Sequence, residues 1–422
     1  MTQDLAYSFN PNVQGSAAPP IPLAGLWASK YFPTADAPLL NLAQGVPGDL
    51  PPQELLNRLA EAARDPKTTG YGDLRGDVEL RRELARDVNE AYGIPEGQAD
   101  GGESRLVTEN DVVLTAGCNL AFYATVLALA CPGDEMILPT PWYFNHEMTL
   151  TQLGITLVPL RCSPPSFLPS PSECASLIRR GKTKAIVLVT PNNPTGAVYP
   201  EELLREFAEL AEREGVPLVL DETYREFVKG RPHGLFADGA QWRKYLIHLF
   251  SFSKSYAIPG HRLGALLASP LLLSQISKLL DCLQICPARP AQQALVWAVE
   301  GIREWRERVR DELGERQRVF RELMGEVEGW QVETGSGYFA YVKHPFPSFP
   351  SQLVAARLGE HVGVVVLPGT FFSPPFEDVG EDRYIRFSIA NVSLSTLSLV
   401  PARLRHLNDL WPTLPSQTPA LT

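Results

Sequence analysis

The stretch Ser251-Phe-Ser-Lys-Ser-Tyr-Ala-Ile-Pro-Gly-His-Arg-Leu-Gly264 sets one amine, Lys254, among hydroxyls, with a guanidinium, Arg262, eight positions on. A lysine amine condenses with a carbonyl to give a Schiff base, which divides a difficult amine transfer into easier covalent steps. Hydroxyls and a planar guanidinium suit a phosphate, because the guanidinium offers two parallel N–H donors. Ser251, Ser253 and Arg262 are therefore candidates to hold the phosphate of an aldehyde cofactor bound by Lys254. A lone lysine between serines reads more readily as a solvated surface residue, so its company must decide.

That company is spread along the chain. Thr115-Ala-Gly117-Cys118-Asn119 joins an apolar run to an Ala/Leu-rich one. A glycine at a helix start leaves free N–H groups open to an anion. Pro139-Thr-Pro-Trp142-Tyr143-Phe144 puts aromatics just after a short strand. One ring there, Tyr143 rather than Trp142, is expected to stack on a flat heterocycle. Pro191-Asn-Asn193-Pro-Thr-Gly196 offers an amide to a phenolic oxygen, and also reads as a plain Pro/Asn turn. Leu218-Val-Leu-Asp221-Glu-Thr-Tyr224 ends a buried-looking run on a carboxylate, which needs a partner. A pyridinium N–H would serve, and a protonated ring nitrogen makes the ring an electron sink. A helix cap is the alternative for Asp221, and Tyr224 is placed to donate to a ring oxygen. Arg386, in Tyr-Ile-Arg-Phe-Ser, interrupts an apolar strand. A buried guanidinium requires an anion, either a substrate α-carboxylate or an internal one.

The elements that must position these groups alternate. Short apolar runs fall at 112–115, 135–139, 156–160, 185–189, 218–220, 246–250 and 264–268, with helical patterns such as Glu201 to Glu214 between several of them. Strands alternating with helices predict an α/β fold with a mostly parallel sheet covered on both faces. Ligands of such sheets bind at the carboxyl ends of the strands, where most of the segments above lie. From about Trp297 the pattern changes to a charged helix, Glu300 to Glu328. The runs Gly337 to Val342, Val362 to Leu367 and Tyr384 to Ile389, with a closing helix from Ser395 to Trp411, predict a smaller α+β domain. Residues 1 to about 40, rich in Pro, Ala and Ser, read as a partly extended arm, and 415–419 as a loose tail.

Composition bounds the function. The chain has 422 residues, 44% of them hydrophobic, enough for two or three domains. A formal net charge of −10 argues against nucleic-acid or anionic-membrane partners. No apolar run reaches the ~18 residues of a membrane span, and the start shows no secretory pattern, so a cytoplasmic location is expected. Six scattered cysteines, of which Cys282 and Cys286 are the closest pair, complete no metal site and fit free thiols.

Taken together, Ser-Phe-Ser-Lys254…Gly-His-Arg262-Leu-Gly, Asn-Asn193-Pro-Thr-Gly and Asp221-Glu-Thr-Tyr224, in this order, resemble the fold type I pyridoxal-5′-phosphate (PLP) enzymes of the class I/II aminotransferase family. The resemblance runs from about Asn41 to about Asn391. It implies a three-layer αβα PLP-transferase domain at about 50–300, a small domain at 301–422, and an arm at 1–49 that joins the small domain. It implies that Lys254 carries the cofactor and shuttles the proton, that Asp221 pairs with the ring nitrogen, and that Asn193 and Tyr224 hold the ring oxygen. Gly117, Cys118, Asn119, Ser251, Ser253 and Arg262 would take the phosphate, and Tyr143 would stack on the ring. Gly45, Asn193 and Arg386 would hold the substrate carboxylate. It also implies a homodimer in which Tyr71 reaches the partner's phosphate. The expected reaction moves the amine of an L-amino acid to a 2-oxo acid. The same scaffold hosts 1-aminocyclopropane-1-carboxylate synthases and C–S β-lyases, and a non-catalytic regulator is a further alternative, although this chain keeps both Lys254 and Arg386. Trp27, Tyr31, Phe32 and Tyr338 are candidate walls of an aromatic or apolar side-chain pocket. Arg289 is the candidate partner for an acidic side chain, and the neutral choice is preferred.

Overall fold

The computed structural model describes residues 7–95, 97, 104–237, 239–376 and 378–415. A two-residue strand, β1 (Leu40–Asn41), leads into the main sheet. That sheet consists of β2 (Val112–Thr115), β3 (Glu135–Thr140), β4 (Thr156–Arg161), β5 (Thr183–Val189), β6 (Leu218–Asp221), β7 (Leu246–Ser251) and β8 (Gly264–Leu267). Their order is β2-β8-β7-β6-β5-β3-β4, and β8 alone runs antiparallel to its neighbours.

The central strands are near-continuous apolar runs because both faces of a parallel sheet are covered. Side-chain alternation divides them between two cores. Leu114, Ile186, Leu188, Leu218 and Leu220 point into one, while Val113, Ala185, Val187 and Val219 point into the other. Helices supply the covering layers through apolar faces at helical spacing. In Glu201–Glu214 that face is Leu204, Phe207, Ala208 and Ala211. In Gln53–Arg64 it is Leu55, Leu59 and Ala62.

A second sheet follows the 23-residue helix Arg303–Gly325. It comprises β9 (Gln331–Ser336), β10 (Phe339–Lys343), β12 (Leu367–Pro368) and β13 (Tyr384–Ser388), ordered β12-β13-β10-β9 and antiparallel throughout. The short β11 (Val364–Val365) pairs instead with β1, in parallel. The expected single strand over 362–367 is therefore not formed. Helix Ser351–Val362 runs to its end and closes on Gly363, which takes the left-handed conformation (φ +67°) that favours glycine. The chain then gives two residues to each of two sheets.

The N-terminal arm also differs from expectation. Pro11–Gly15 and Pro20–Ala28 are helical, each with proline in its first turn, where a preset φ and a missing N–H cost nothing. Ala24 and Trp27 enter the core of the smaller sheet beside Leu40, Leu42 and Phe387. Residues 1–6, and the predicted tail beyond Pro415, lie outside the described residues.

Candidate active site

β5 and β6 end at Val189 and Asp221, which stand in register, and β7 runs two residues past Leu249, the partner of Asp221, to end at Ser251. With the turn after β2 and the segment after β3, they surround a cavity of about 260 Å³. The opposite wall is Gly45 from the N-terminal segment and Arg386 from β13. Cys118, Asn119, Tyr143, Asn193, Asp221, Tyr224, Ser251, Ser253, Lys254 and Arg262 also line it, so most of the predicted site is brought together.

Asp221 is 3% exposed and accepts from the Thr223 N–H at 3.0 Å and the Thr223 hydroxyl at 2.7 Å. Its other oxygen lies 3.3 Å from His146 Nε2. Burial alone would raise this carboxyl, but His146 and Thr223 outweigh it, and the pKa is lowered. His146 was not foreseen. It sits in the first turn of helix Phe144–Gln152, six residues beyond the β3 end, with its ring 4.0 Å from that of Phe122 and 5.2 Å from that of Tyr143. A histidine three residues after a predicted stacking tyrosine is the only sequence signal that it left.

Tyr143 lines the cavity, whereas the Trp142 ring packs in one core of the main sheet and its backbone N–H donates to the Phe372 carbonyl at 2.7 Å. Burial, then the nearby Asp221 carboxylate, push the Tyr143 phenol up to about 12.

Lys254 lies in the one-turn helix Phe252–Ser255, capped by Ser251, whose side chain accepts from the Ser253 N–H. Its Nζ donates to the Gly45 carbonyl. Burial first, then the charges of Arg386 and Arg262, bring its pKa down to about 8.

The predicted phosphate cradle is compact. Gly117 caps helix Cys118–Leu129 with φ +86°. A Cβ there would lie 2.2 Å from Arg262 Nη2, so only glycine lets the guanidinium approach the helix start. Arg262 itself is left-handed (φ +50°). Ser251 and Ser253 are buried beside it.

Arg386 is 2% exposed and has no carboxylate partner among the described residues. Nη1 donates to Asn193 Oδ1 at 2.8 Å and Nη2 to the Ala43 carbonyl, while Nε has no hydrogen-bond partner. The guanidinium lies 4.5 Å over the Phe339 ring. Burial brings its pKa down to about 10. Such a group is built to receive an anion.

Some expected residues lie elsewhere. Tyr71 is 80% exposed and outside this cavity. Arg289 donates towards Asp77 Oδ1 (3.4 Å) and to the Lys67 carbonyl, also away from it. None of the four candidate pocket walls lines the cavity. Trp27 is core, stacked on Phe371. Tyr31 donates to the Ala37 carbonyl, and Phe32 is 86% exposed. Tyr338 is buried and donates to the Lys254 carbonyl at 3.3 Å. Ile21, Val46, Phe144 and Val189 form the apolar lining instead.

Behind Asp221, Glu222 takes the other side of the strand end. Its Oε2 accepts from the Tyr92 hydroxyl (2.5 Å) and faces Nε2 of His233 (3.0 Å) and His248 (2.9 Å). Burial opposes its charge, but the two histidines hold the carboxyl well below the usual range.

A sheet-end cavity with a buried lysine, an ionised aspartate and two guanidiniums that have no carboxylate partner among the described residues suits an enzyme that uses a phosphorylated aldehyde. The chain matches Aminotransferase class I and II over residues 37–404, and it belongs to that family. It is 29% identical over 374 residues to an aromatic aminotransferase of Arabidopsis thaliana, covering 87% of this chain and 89% of that one. It is 30% identical over 365 residues to an aspartate aminotransferase of Pyrococcus horikoshii, covering 83% and 86%. The fold is that of the aspartate aminotransferase from Thermus thermophilus with maleate, with a TM-score of 0.82 at 24% identity over 95% of this chain and 100% of that one.

The protein is thus a PLP-dependent aminotransferase, and the cavity fits that cofactor on its own terms. It offers one buried amine with a lowered pKa, one buried carboxylate, an aromatic wall, and a cradle of hydroxyls and guanidinium that a Cβ at Gly117 would fill.

Proposed function

We propose that this enzyme takes the amine from a neutral L-amino acid, aromatic or bulky and apolar, and passes it to a 2-oxo acid. The observation that carries this reading is the charge count of the cavity. Its cations are Lys254, Arg262 and Arg386, one for each of three duties: amine, phosphate and α-carboxylate. Among the described residues of this chain no fourth cation lines it to meet an acidic side chain, and Arg289 is engaged with Asp77. Ile21, Val46, Phe144 and Val189 offer an apolar surface instead.

When bound, PLP supplies the aldehyde and a ring that accepts negative charge from the substrate Cα. In our reading Lys254 would hold the aldehyde, and its free amine would move the proton between the substrate Cα and the cofactor C4′. A pKa of about 8 suits that task near neutrality. Asp221, kept ionised by His146 and Thr223, holds the proton on the ring nitrogen. Asn193 and Tyr224 bind the ring oxygen, and Tyr143 orients the ring. Ser251, Ser253 and Arg262, with the helix start at Gly117, Cys118 and Asn119, would bind the phosphate. Arg386, with Asn193 and Gly45, orients the substrate by its carboxylate. The exposed Tyr71 is taken to reach a second copy in a homodimer, and six free cysteines accord with a cytoplasmic setting. The domain division at 49/50 and 300/301 belongs to the same reading.

The names of the relatives include both an aromatic and an aspartate aminotransferase, so the donor must be tested directly. Purified holoenzyme is mixed with single amino donors and the 2-oxo acid is quantified. Phenylalanine, tyrosine or leucine should give one equivalent per site with a higher kcat/KM than aspartate. A preference for aspartate overturns the substrate class, and consumption of donor without stoichiometric 2-oxo acid overturns transamination in favour of a lyase. Lys254→Ala should retain PLP but lose turnover.

A further inference from the structure

A second cavity, about 410 Å³, lies in the seam between the two sheets. One wall is the end of β3 and the segment after β4, from Arg161 to Phe167; the other is β10 and β13, through Tyr341, Lys343, Arg383 and Tyr384. It shares no lining residue with the active site.

Its floor is aromatic. The rings of Tyr341 and Tyr384 stack at 5.1 Å and 11°, and Phe167 meets both edge-on at 5.3 and 5.1 Å. Phe167 has φ +52°, a conformation that costs a bulky residue strain. The strain places the ring against the tyrosine pair. Prolines 141, 164, 374 and 375 extend the apolar surface.

Its rim is cationic in an acidic protein. The chain carries a formal charge of −10, yet among the described residues Arg161, Lys343 and Arg383 line this cavity against a single carboxylate, Glu381. Lys343 has no ion pair among the described residues. Arg161 meets Glu381 only at 3.8 Å, and Arg383 spends Nε and Nη2 on the His344 carbonyl, leaving Nη1. An aromatic floor under a cationic rim suits a ligand with a ring at one end and an anion at the other.

We propose that this cavity is a second binding site, for a small aromatic carboxylate. Its walls come from both sheets, so an occupant would bridge them. Tyr341 stands opposite Arg386 in the β10–β13 register, which brings the bridge next to the substrate clamp.

Calorimetry with 3-phenylpropionate and the PLP-loaded enzyme tests this. The wild type should bind two equivalents per chain, one of them at Arg386. Arg386→Ala should retain one. Adding Arg161→Gln and Lys343→Gln to that variant should weaken the remaining equivalent at least ~10-fold, as loss of charge-assisted contacts does. If the combined variant does not fold, Arg161→Gln alone, at a position 73% exposed, must still weaken it. No binding to Arg386→Ala, or a remaining equivalent unmoved by the Gln substitutions, overturns the proposal. Two equivalents retained in Arg386→Ala, with one lost on the Gln substitutions, would support the new site while sinking the Arg386 clamp.

Discussion

Lys254 in the cofactor-free enzyme should lose its proton near pH 8 rather than 10.5. Burial is the main cause, followed by the charges of Arg386 and Arg262. The difference corresponds to ~3 kcal/mol at about 1.4 kcal/mol per pH unit. At pH ~7.5 an ordinary lysine is roughly 0.1% free amine, and a group with a pKa of about 8 is roughly a quarter free, a gain of about 200-fold in nucleophile. The same shift acts on stability. Below pH 8 the folded protein bears the full cost of the buried charge. As pH rises from 8 towards 10.5 the folded amine is already neutral while the unfolded one still binds its proton, so stability rises across that window. Competitive acylation of the cofactor-free enzyme, read at Lys254 by mass spectrometry against pH, gives the midpoint directly. Arg386→Gln removes one of the two repelling charges and should lift the midpoint above 8, but not to 10.5, because burial persists. A wild-type midpoint at 10 or above refutes the burial. A midpoint in Arg386→Gln at or below that of the wild type refutes the role given to the guanidinium.

Arg386→Ala should weaken donor binding by about 2–5 kcal/mol, the usual cost of truncating one partner of a buried charge pair, seen as a rise in KM; an unchanged KM moves the clamp elsewhere. Gly117→Ala adds a Cβ 2.2 Å from Arg262 Nη2 at φ +86°, so PLP affinity by fluorescence titration should drop while the ring contacts to Asp221 and Tyr143 stay intact. His146→Phe keeps the stacking against Phe122 but removes the hydrogen bond to Asp221, so the Asp221 carboxyl rises and the acid limb of kcat moves to higher pH. An unmoved acid limb would show that Thr223 alone holds the carboxylate.

The sequence made the large domain and its loops readable because parallel strands buried on both faces are contiguous apolar runs, and each ligand loop follows one directly. Asp221, Asn193 and Lys254 were legible as strand-end residues for that reason. The small domain was harder. Its strands are two to six residues long and antiparallel, and β9 carries mostly half-buried residues, so it leaves no apolar run. The arm misled for a different reason: prolines at 11, 20 and 22 read as extended chain, although at helix starts they favour the helix.

The side-chain pocket and the support of Asp221 were illegible because both depend on distant segments meeting. Ile21 and Val46 reach the cavity only because the arm folds back over the sheet ends, and nothing in their local spacing marks them. His146 and Glu222 show the same dependence in charge. Each is an ordinary polar residue in sequence, and each becomes consequential because burial makes an unpaired carboxylate costly, so Asp221 and Glu222 must draw partners from helices and strands up to 130 residues away. Lys254, the lysine proposed to hold the cofactor, needs the opposite treatment. It is buried without a carboxylate partner among the described residues, and that burial, with the charges of Arg386 and Arg262 added, makes it a nucleophile. Adjacent strand ends β6 and β7 thus carry opposite electrostatic solutions, a carboxylate held charged and an amine pressed towards neutrality, and a cofactor that must be protonated at its ring and attacked at its aldehyde requires both.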